Sequence, residues 1–159
     1  MTKRISGLTL IELLVVLAIL SILAAAAIPY AEVTTQRNKE LELHRALREI
    51  RTAIDRFHAD WERGRIPHAE AASADGYPKS LLVLVNGVDL ADVTGGRRYY
   101  LRRIPRDPFA DQRTPPARQW AKRGYQDRPD TARWNRRDVY DVHSRSERTA
   151  LDGSRYDEW

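Results

Sequence analysis

The stretch Lys3-Arg4-Ile5-Ser6-Gly7-Leu8-Thr9-Leu10-Ile11-Glu12 places a short basic leader and a glycine directly before a long apolar run. Glu12 is the only charged residue among the 21 residues from Leu8 to Ile28. A helix of that length extends about 30 Å at ~1.5 Å per residue, which is enough to cross the hydrocarbon core of a bilayer. Since a carboxylate at mid-membrane costs roughly 2.5 kcal/mol or more, the sequence predicts a membrane anchor in which Glu12 has a charged partner.

The order of these elements resembles the class III signal of the type IV pilin family: a basic leader, a glycine, and an apolar helix with a glutamate five positions after the glycine. In that family a membrane peptidase cleaves after the glycine and methylates the new N-terminus. The resemblance therefore implies cleavage after Gly7, methylation of Leu8 and a role for Glu12 in assembly. Leu8 stands where the family usually has phenylalanine. Pro29 matches a proline common just past the membrane segment, and it is expected to bend the helix because it removes a backbone donor.

Three other interpretations of the N-terminus compete with this one. A Sec signal peptide would use a small-residue cleavage site within Ala24–Ala27, but its apolar core spans about 7 to 15 residues and lacks an early carboxylate such as Glu12. An ordinary single-pass anchor explains the length of the run and leaves Gly7 and Glu12 unexplained. A buried core helix is disfavoured because a 159-residue chain has too little other apolar sequence to surround it.

Composition and charge limit the remaining functions. The chain has no cysteine, which excludes disulfides, thiolate metal sites and cysteine nucleophiles. Lys3 and Arg4 precede the apolar run and no basic cluster directly follows Ile28, so the positive-inside rule places the N-terminus in the cytoplasm and the rest outside the bacterial inner membrane. Cleavage after Gly7 would remove Lys3 and Arg4 from the 27 basic residues, leaving 25 against 22 acidic ones and a net charge of +3.

An amphipathic pattern continues beyond the apolar run. Apolar residues recur at steps of three and four, namely Leu43, Leu47, Ile50, Ile54, Phe57 and Trp61. This stripe predicts a helix that ends near Arg63, before Gly64 and Pro67, and that either docks on a globular head or forms a coiled coil. We therefore expect four segments: a cleaved leader (1–7), the transmembrane half of the helix (8–29), its amphipathic half (30–63) and a globular periplasmic head (64–159).

The head has short elements separated by turns. Ile66–Tyr77 predicts a loop, and the apolar run Leu81–Val85 predicts a short helix or a buried strand. Tyr99–Leu101, Gln119–Lys122 and Val139–His143 are strand candidates. The predicted fold class is α+β, in which a long N-terminal helix packs on a small antiparallel β-sheet of three or four strands.

Two segments of the head extend the family resemblance. Arg103–Phe109 is similar to the proline-bracketed aspartate motif of the major pseudopilins of type II secretion, where an aromatic residue follows the second proline. Val139–Ser144, then Leu151–Gly153 and Trp159, resemble their final strand, loop and tail. The resemblance touches both ends of the chain, and the segment 114–138 matches no family pattern.

The C-terminal loop departs from those pseudopilins at the residues that matter for metal. The family holds calcium there through a serine, backbone carbonyls and closely paired aspartates. Ser144 corresponds to the serine, whereas Arg148, Arg155 and Tyr156 occupy positions where acidic ligands would stand. Calcium requires six to eight oxygen ligands, so we expect no metal and no cofactor. In place of a calcium site we expect a turn closed by Asp152-Gly153 and held by Tyr156 and Trp159 in the core.

Catalytic motifs are absent from the sequence. The four histidines form no H-E-x-x-H pair, and neither G-x-S-x-G nor a phosphate-binding glycine loop occurs. Asp141, His143 and Ser144 are close in sequence, but alternation along a strand directs Ser144 to the face opposite His143. The sequence therefore predicts a protein that is not an enzyme.

Charge is distributed unevenly along the head. Arg97–Arg137 contains 13 basic and four acidic residues with interleaved aromatic residues, a pattern that can bind single-stranded nucleic acid. Asp138–Trp159 contains six acidic residues and three arginines. An acidic tail against a neighbour's basic loop would set register in a polymer, and a merely solvated surface is the third interpretation.

The resemblance implies a pseudopilin-like subunit that assembles into a type II secretion pseudopilus and drives protein export. Its expected partners are the prepilin peptidase, further copies of itself, other pseudopilins, membrane lipid and, indirectly, the inner-membrane secretion platform with its ATPase. The alternative is a DNA-uptake pseudopilin or a minor pilin related to type IV pili, whose basic head binds nucleic acid. Nucleic acid is the less favoured partner because the net charge of the mature chain is small.

Overall fold

One helix, α1, runs from Leu10 to Glu62 and contains 53 residues. It continues through Pro29, and the bend expected there stays a prediction. The helix ends one residue before the predicted position. Gly64 follows in the left-handed region at φ 68°, and the backbone amides of Gly64 and Arg65 donate to the carbonyl oxygens of Trp61 and Asp60. A glycine in this conformation is a common helix terminator because it accepts positive φ without steric cost.

The computed structural model describes residues 9–67, 71–91, 95–129, 131 and 133–159. The chain divides into two compact units, Met1–Asn38 and Lys39–Trp159. In its described part the first unit consists of Thr9 and the N-terminal portion of α1. The second unit, which we call the head unit, holds the rest of α1 and every other element. Gly7 and Leu8, the expected cleavage and methylation positions, lie outside the described residues.

The apolar stripe of α1 forms one wall of the core of the head unit. Trp61 is half-buried and packs against the core. The other five residues of the stripe are buried: Leu43, Leu47, Ile50, Ile54 and Phe57. They pack in one cluster with Leu101, Trp120, Val142 and Tyr156. The expectation that the stripe docks on a globular partner is confirmed, since that partner is the head of the same chain.

The other elements of the head are short. They are α2 (Leu81–Asn86), β1 (Val88–Asp89), β2 (Arg97–Arg98), α3 (Pro116–Gln119), β3 (Ala121–Arg123), β4 (Asp141–His143) and a 3-10 turn at Tyr156–Glu158. Strand β1 pairs antiparallel with β2, with Val88 opposite Arg98, and β3 pairs antiparallel with β4, with Ala121 opposite His143. The α+β class is confirmed, but the strands form two separate two-stranded sheets rather than one.

Two of the expected strands are corrected. Tyr99–Leu101 is not a strand, because the amides of Tyr100 and Leu101 both donate to the carbonyl oxygen of Leu84 at α2. Gln119 belongs to α3, and the strand there begins at Ala121. The open alternative at Leu81–Val85 is resolved as a helix. The segment between β2 and β3 contains several prolines. Because proline has no backbone donor, this segment cannot pair as a strand that would join the two sheets.

Candidate functional site

The apolar part of α1 is uncovered in the first unit. Each large apolar side chain from Leu10 to Leu23 is at least 46% exposed. None of the most apolar 18-residue stretch of this helix is buried. By length and composition the helix is long and apolar enough to cross a membrane. The Ser21 hydroxyl donates to the carbonyl oxygen of Leu17 at 2.8 Å, so its polar group is satisfied inside the helix. Such a surface requires lipid or neighbouring protein to cover it.

Glu12 lies in the first turn of α1 and closes a capping box with Thr9. The amide of Glu12 donates to Thr9 Oγ1 at 3.3 Å, and the amide of Thr9 donates to Glu12 Oε2 at 3.4 Å. This reciprocal pair satisfies two of the backbone donors that a helix start leaves free. Sequence reasoning treated Glu12 only as a charge and missed Thr9, although the Thr-x-x-Glu spacing is a signal for this cap.

The two head segments that carry the family resemblance meet in the interior. Asp107 and Ser144 are both fully buried, and Ser144 Oγ donates to Asp107 Oδ2 at 2.7 Å. The amide of Phe109 donates to Asp107 Oδ1 at 2.8 Å, so both carboxylate oxygens have a donor. Hydrogen bonds to a buried carboxylate are among the stronger ones in proteins, and this pair fixes the proline-bracketed loop against the segment after β4.

Gln119 extends this buried network to the rest of the loop. Its Oε1 accepts the amide of Asp107 at 3.1 Å, and its Nε2 donates to the carbonyl oxygens of Asp111 and Thr114 at 3.1 and 3.0 Å. The indole nitrogen of the buried Trp120 donates to the carbonyl oxygen of Pro105 at 2.9 Å. Because each of these buried polar groups has a partner, the network gives the loop one conformation.

A second set of contacts fastens the C-terminal segment to α1. Glu40 Oε1 accepts the amide of Leu151 at 2.9 Å and the hydroxyl of Tyr156 at 2.8 Å. The His44 ring stacks on Trp159, with 4.0 Å between ring centroids. Arg51 Nε contacts Asp141 Oδ1 at 2.8 Å, and its Nη2 donates to the backbone oxygens of Val142 and Trp159. We call Glu40, His44 and Arg51 the helix clamp.

The C-terminal loop does not fit a calcium site. Asp152 Oδ1 accepts the amide and the hydroxyl of Ser154, and Asp157 forms an ion pair with Arg155 at 2.6 Å. The hydrogen bond from Arg155 lowers the pKa of Asp157. The hydroxyl of Ser144 is committed to Asp107. No group of three or more metal-ligating side chains is found among the described residues.

Asp60 is a buried charge that sequence reasoning missed. It is 1% exposed and accepts the hydroxyl of Tyr100 at 2.9 Å. Its oxygens lie 3.0, 3.4 and 3.7 Å from nitrogens of Arg98, Arg65 and Arg63. Burial, and then the hydrogen bond to Asp60, raise the pKa of Tyr100. These contacts tie the C-terminal end of α1 to strand β2.

Part of the basic and aromatic pattern of Arg97–Arg137 serves the interior of the head, while Tyr99, Tyr125 and most of the arginines are exposed. Tyr100 and Trp120 are buried, so their rings cannot stack on a nucleobase. The ammonium of Lys122 lies 4.8 Å from the ring centroid of Trp134, and burial lowers the pKa of Lys122. Arg123 Nη2 pairs with Asp141 Oδ2 at 2.6 Å.

The Asp141, His143 and Ser144 group forms no catalytic arrangement. Asp141 is bound by Arg51 and Arg123, and Ser144 Oγ is bound to Asp107. His143 Nδ1 lies 3.0 Å from the carbonyl oxygen of Ser144 rather than from its hydroxyl. The expectation that these residues would not act as a triad agrees with this geometry.

The comparison with protein families finds one match. The family model described as the prokaryotic N-terminal methylation motif matches residues 2–28. No curated protein and no solved structure matches the chain. The motif is a prepilin-type signal, which supports a type IV pilin-like protein that a prepilin peptidase processes and that assembles with pilin-like subunits. Together with the uncovered apolar helix it indicates a single-pass membrane anchor.

Proposed function

We propose that this chain is a pseudopilin-like subunit of a type II secretion system. In this proposal the leader 1–7 is removed after Gly7, Leu8 is methylated, residues 8–29 stay in the inner membrane, and the head lies in the periplasm. The observation that carries the proposal is the methylation motif joined to an uncovered apolar helix with one carboxylate in its first turn. An enzyme or a soluble binding protein has no need for this combination.

Glu12 is the residue on which assembly depends. Cleavage after Gly7 creates a positive amine on Leu8, and methylation keeps that charge. Glu12 lies four residues further on, about 6 Å along the helix axis, so a staggered neighbour presents its amine to Glu12 more directly than the same chain does. In a low-dielectric surrounding such a pair offsets desolvation that neither charge bears alone, and it favours one axial stagger over others.

The head is fastened to the amphipathic half of α1 and moves together with it during assembly. The helix clamp, the Asp60 cluster and the apolar stripe join residues 40–62 to the strands and loops of the head. When subunits are drawn from the membrane by a secretion ATPase acting through membrane partners, a head fastened in this way rises with its helix. This mechanism is mechanical and requires no catalytic group.

Processing provides the first test. We expect mass spectrometry of the mature protein to find Leu8 as the N-terminal residue, carrying one methyl group, and we expect Gly7→Glu to leave the leader in place. The conservative variant Gly7→Ala serves as a matched control for a change at the same position. A mature N-terminus near Ile28 would identify a Sec signal peptide and refute the pseudopilin proposal.

A DNA-uptake subunit is the second candidate, and the surplus of basic residues in Arg97–Arg137 is the observation that favours it. The burial of Tyr100 and Trp120 argues against this candidate, because their rings cannot stack on bases. Stacking on exposed rings supplies much of the affinity of proteins for single strands. The test is binding of single-stranded DNA by the full chain in detergent. Tight binding that falls steeply with salt would favour uptake, and we expect weak binding.

A further inference from the structure

Two sets of arginines in the head unit differ in whether a carboxylate of the chain pairs with them. One group forms ion pairs with carboxylates: Arg51, Arg63, Arg65, Arg97, Arg98, Arg123 and Arg155. A second group, Arg45, Arg48, Arg56, Arg102 and Arg103, is exposed and makes no ion pair with any residue that the structure describes. The members of the second group come from two distant parts of the sequence, yet they line the same surface.

That surface consists of two adjoining grooves in the head unit. The larger, of about 790 Å³, lies between α1, α2, the loop segment 102–106 and residues 115–117 at the start of α3. The smaller, of about 440 Å³, lies between α1 and residues 100–102. Arg45, Glu49 and Arg102 line both, so the two grooves are continuous. We call this surface the basic groove, after these five arginines. A sixth arginine in its lining, Arg106, donates to the carbonyl oxygens of Gln112 and Thr114.

The lining of the basic groove indicates what it binds. Guanidinium groups bind carboxylates and phosphates through paired hydrogen bonds. Glu42 and Glu49 also line the groove and repel anions near them, so the groove suits separate carboxylates placed opposite its arginines rather than a continuous phosphate backbone. Leu82, which is 52% exposed, and Val85 offer an apolar contact for an aliphatic side chain. A polypeptide surface with carboxylates and an aliphatic residue fits this mixture better than nucleic acid does.

The C-terminal part of the same chain has a surface of that composition. Thr149 and Arg155 form an isolated antiparallel bridge that closes the turn between them, and Arg155 forms an ion pair with Asp157 at 2.6 Å. Asp157, Glu147 and Glu158 all raise the pKa of Arg155, Asp157 most through its hydrogen bond. The preceding turn carries Leu151, which is 43% exposed, and Asp152. We call Glu147, Leu151, Asp152, Asp157 and Glu158 the acidic face.

Two further arginines accompany the acidic face in sequence, but their side chains have other contacts. Arg148 packs over the Phe109 ring, with 5.6 Å between its guanidinium carbon and the ring centroid. Arg145 carries the same charge as Lys122 and lowers its pKa, after the larger effect of burial. Within the acidic face, three carboxylates, those of Asp157, Glu147 and Glu158, act on Arg155, and the fourth, Asp152, accepts hydrogen bonds from Ser154.

We propose that the basic groove of one subunit receives the acidic face of a second copy of this chain. This inference rests on the proposed function as a filament subunit. The groove and the face are different patches, so the contact is heterologous and can repeat from subunit to subunit instead of closing into a two-fold dimer. Oppositely charged surfaces of this kind fix register and suppress wrong pairings, while the aliphatic contact between Leu151 and Leu82 adds burial.

The absence of cysteine from the sequence allows a clean cross-linking test. Leu82→Cys and Leu151→Cys are combined in the full-length chain and oxidised in membranes that carry the assembly machinery. We expect a ladder of disulfide-linked oligomers, since each chain then offers one cysteine to each neighbour. Either single variant should give no ladder, because one cysteine per chain cannot link more than two copies.

Charge reversal tests the electrostatic part of the contact. In the two-cysteine chain, Arg102→Glu with Arg103→Glu places like charges opposite the acidic face and should reduce the ladder at least about tenfold. Adding Glu147→Arg with Glu158→Arg should restore it. Arg113→Glu with Arg133→Glu is the matched control: it makes the same change of charge at exposed positions outside the groove and should leave the ladder unchanged.

The possible failures are distinguishable. Filaments that assemble without the ladder, or a ladder that survives reversal of Arg102 and Arg103, would overturn this inference and leave the proposed function standing. A ladder that disappears after nuclease treatment would identify nucleic acid as the occupant and also overturn it. If the cysteine-free parent forms no filaments and the two-cysteine chain forms no ladder, both proposals fail.

Discussion

The two halves of α1 use the same kinds of residue in opposite ways. Leu17 is 51% exposed, whereas Leu47, thirty residues later on the same helix, is 1% exposed and lies in the core of the head unit. The later half is stabilised by its own chain, because the head supplies apolar partners for the stripe. The earlier half has no such partners among the described residues, so its apolar surface is available to lipid and to other subunits. One helix therefore combines an assembly surface with a folding surface.

Charges differ between the two regions in the same way. Asp60 is buried and is surrounded by three arginines and a tyrosine hydroxyl from its own chain. Glu12 is exposed, and its described hydrogen bonds join it only to Thr9, three residues away. Asp60 has its partners within the fold and stabilises it, whereas Glu12 is proposed to depend on a charge from a neighbouring subunit.

The largest effect is expected at Glu12. We expect Glu12→Ala to insert and to be processed normally, and to abolish filament assembly because the neighbour's amine loses its partner. Glu12→Gln separates the two roles of the side chain, since glutamine still serves in a capping box but carries no charge. Both variants should fail in a filament-shearing assay. Normal assembly of Glu12→Gln would show that helix capping, rather than charge, is what Glu12 contributes.

A matched pair on α1 tests the contrast between its two halves. Phe57→Ala removes a fully buried ring and should lower the free energy of unfolding of the head by about 3 to 5 kcal/mol. Leu17→Ala should leave that free energy unchanged, because Leu17 is exposed and is not one of the residues of the head core. Denaturant unfolding of the full chain in detergent, followed by tryptophan fluorescence, measures both. Equal destabilisation by the two changes would contradict the conclusion that only the later half of α1 stabilises the head.

A smaller effect is expected at the buried hydrogen bond between the two head motifs. Ser144→Ala leaves Asp107 Oδ2 buried without its donor and should cost about 1 to 3 kcal/mol. Ser146→Ala is the control, because Ser146 is less buried and its hydroxyl accepts only a 3.5 Å contact from the amide of Arg148. The same unfolding measurement applies. A Ser144→Ala head as stable as the parent would show that the bond is dispensable.

The smallest effect is a loss of stability at high pH. Burial raises the pKa of Tyr77 from its ordinary value of 10.0 to about 12. The unfolded chain therefore releases this proton at lower pH than the folded chain, so stability is full below pH 10 and falls as pH rises from 10 towards 12. Tyr77→Phe should lose less stability over that interval. An identical pH profile for both chains would mean that other groups account for the loss.

The long helix, its end near Gly64 and the docking stripe were predicted from the sequence. They follow from an apolar period of three to four residues and from the helix-terminating residues Gly64 and Pro67. The strand predicted at 139–143 is present, but it is shorter than predicted, since β4 begins at Asp141. Tyr99–Leu101 was wrongly predicted as a strand, because its aromatic content favours β structure while its amides are in fact bound by the end of α2. Propensity describes a segment alone, and tertiary contacts decided this one.

The proline-bracketed aspartate and the serine after the final strand were both singled out from sequence, but their contact was not. Ser144 and Asp107 are 37 residues apart, and Glu40 and Tyr156 are 116 apart. Nothing in either local sequence specifies such a partner. Arg98 and Arg102 likewise read as equivalent members of one basic segment, although folding buries Asp60 beside the first and leaves the second in the basic groove.

By itself, therefore, the sequence determined the prepilin-type signal, the apolar anchor with Glu12, the amphipathic stripe and the α+β class. These depend on residue order, hydrophobicity and helical period, which act over a few residues. The tertiary structure alone decided which carboxylates became internal partners, which arginines remained unpaired, and how the C-terminal segment is clamped to Glu40, His44 and Arg51. Those outcomes depend on pairings between distant segments, which exist only once the core has brought the segments together.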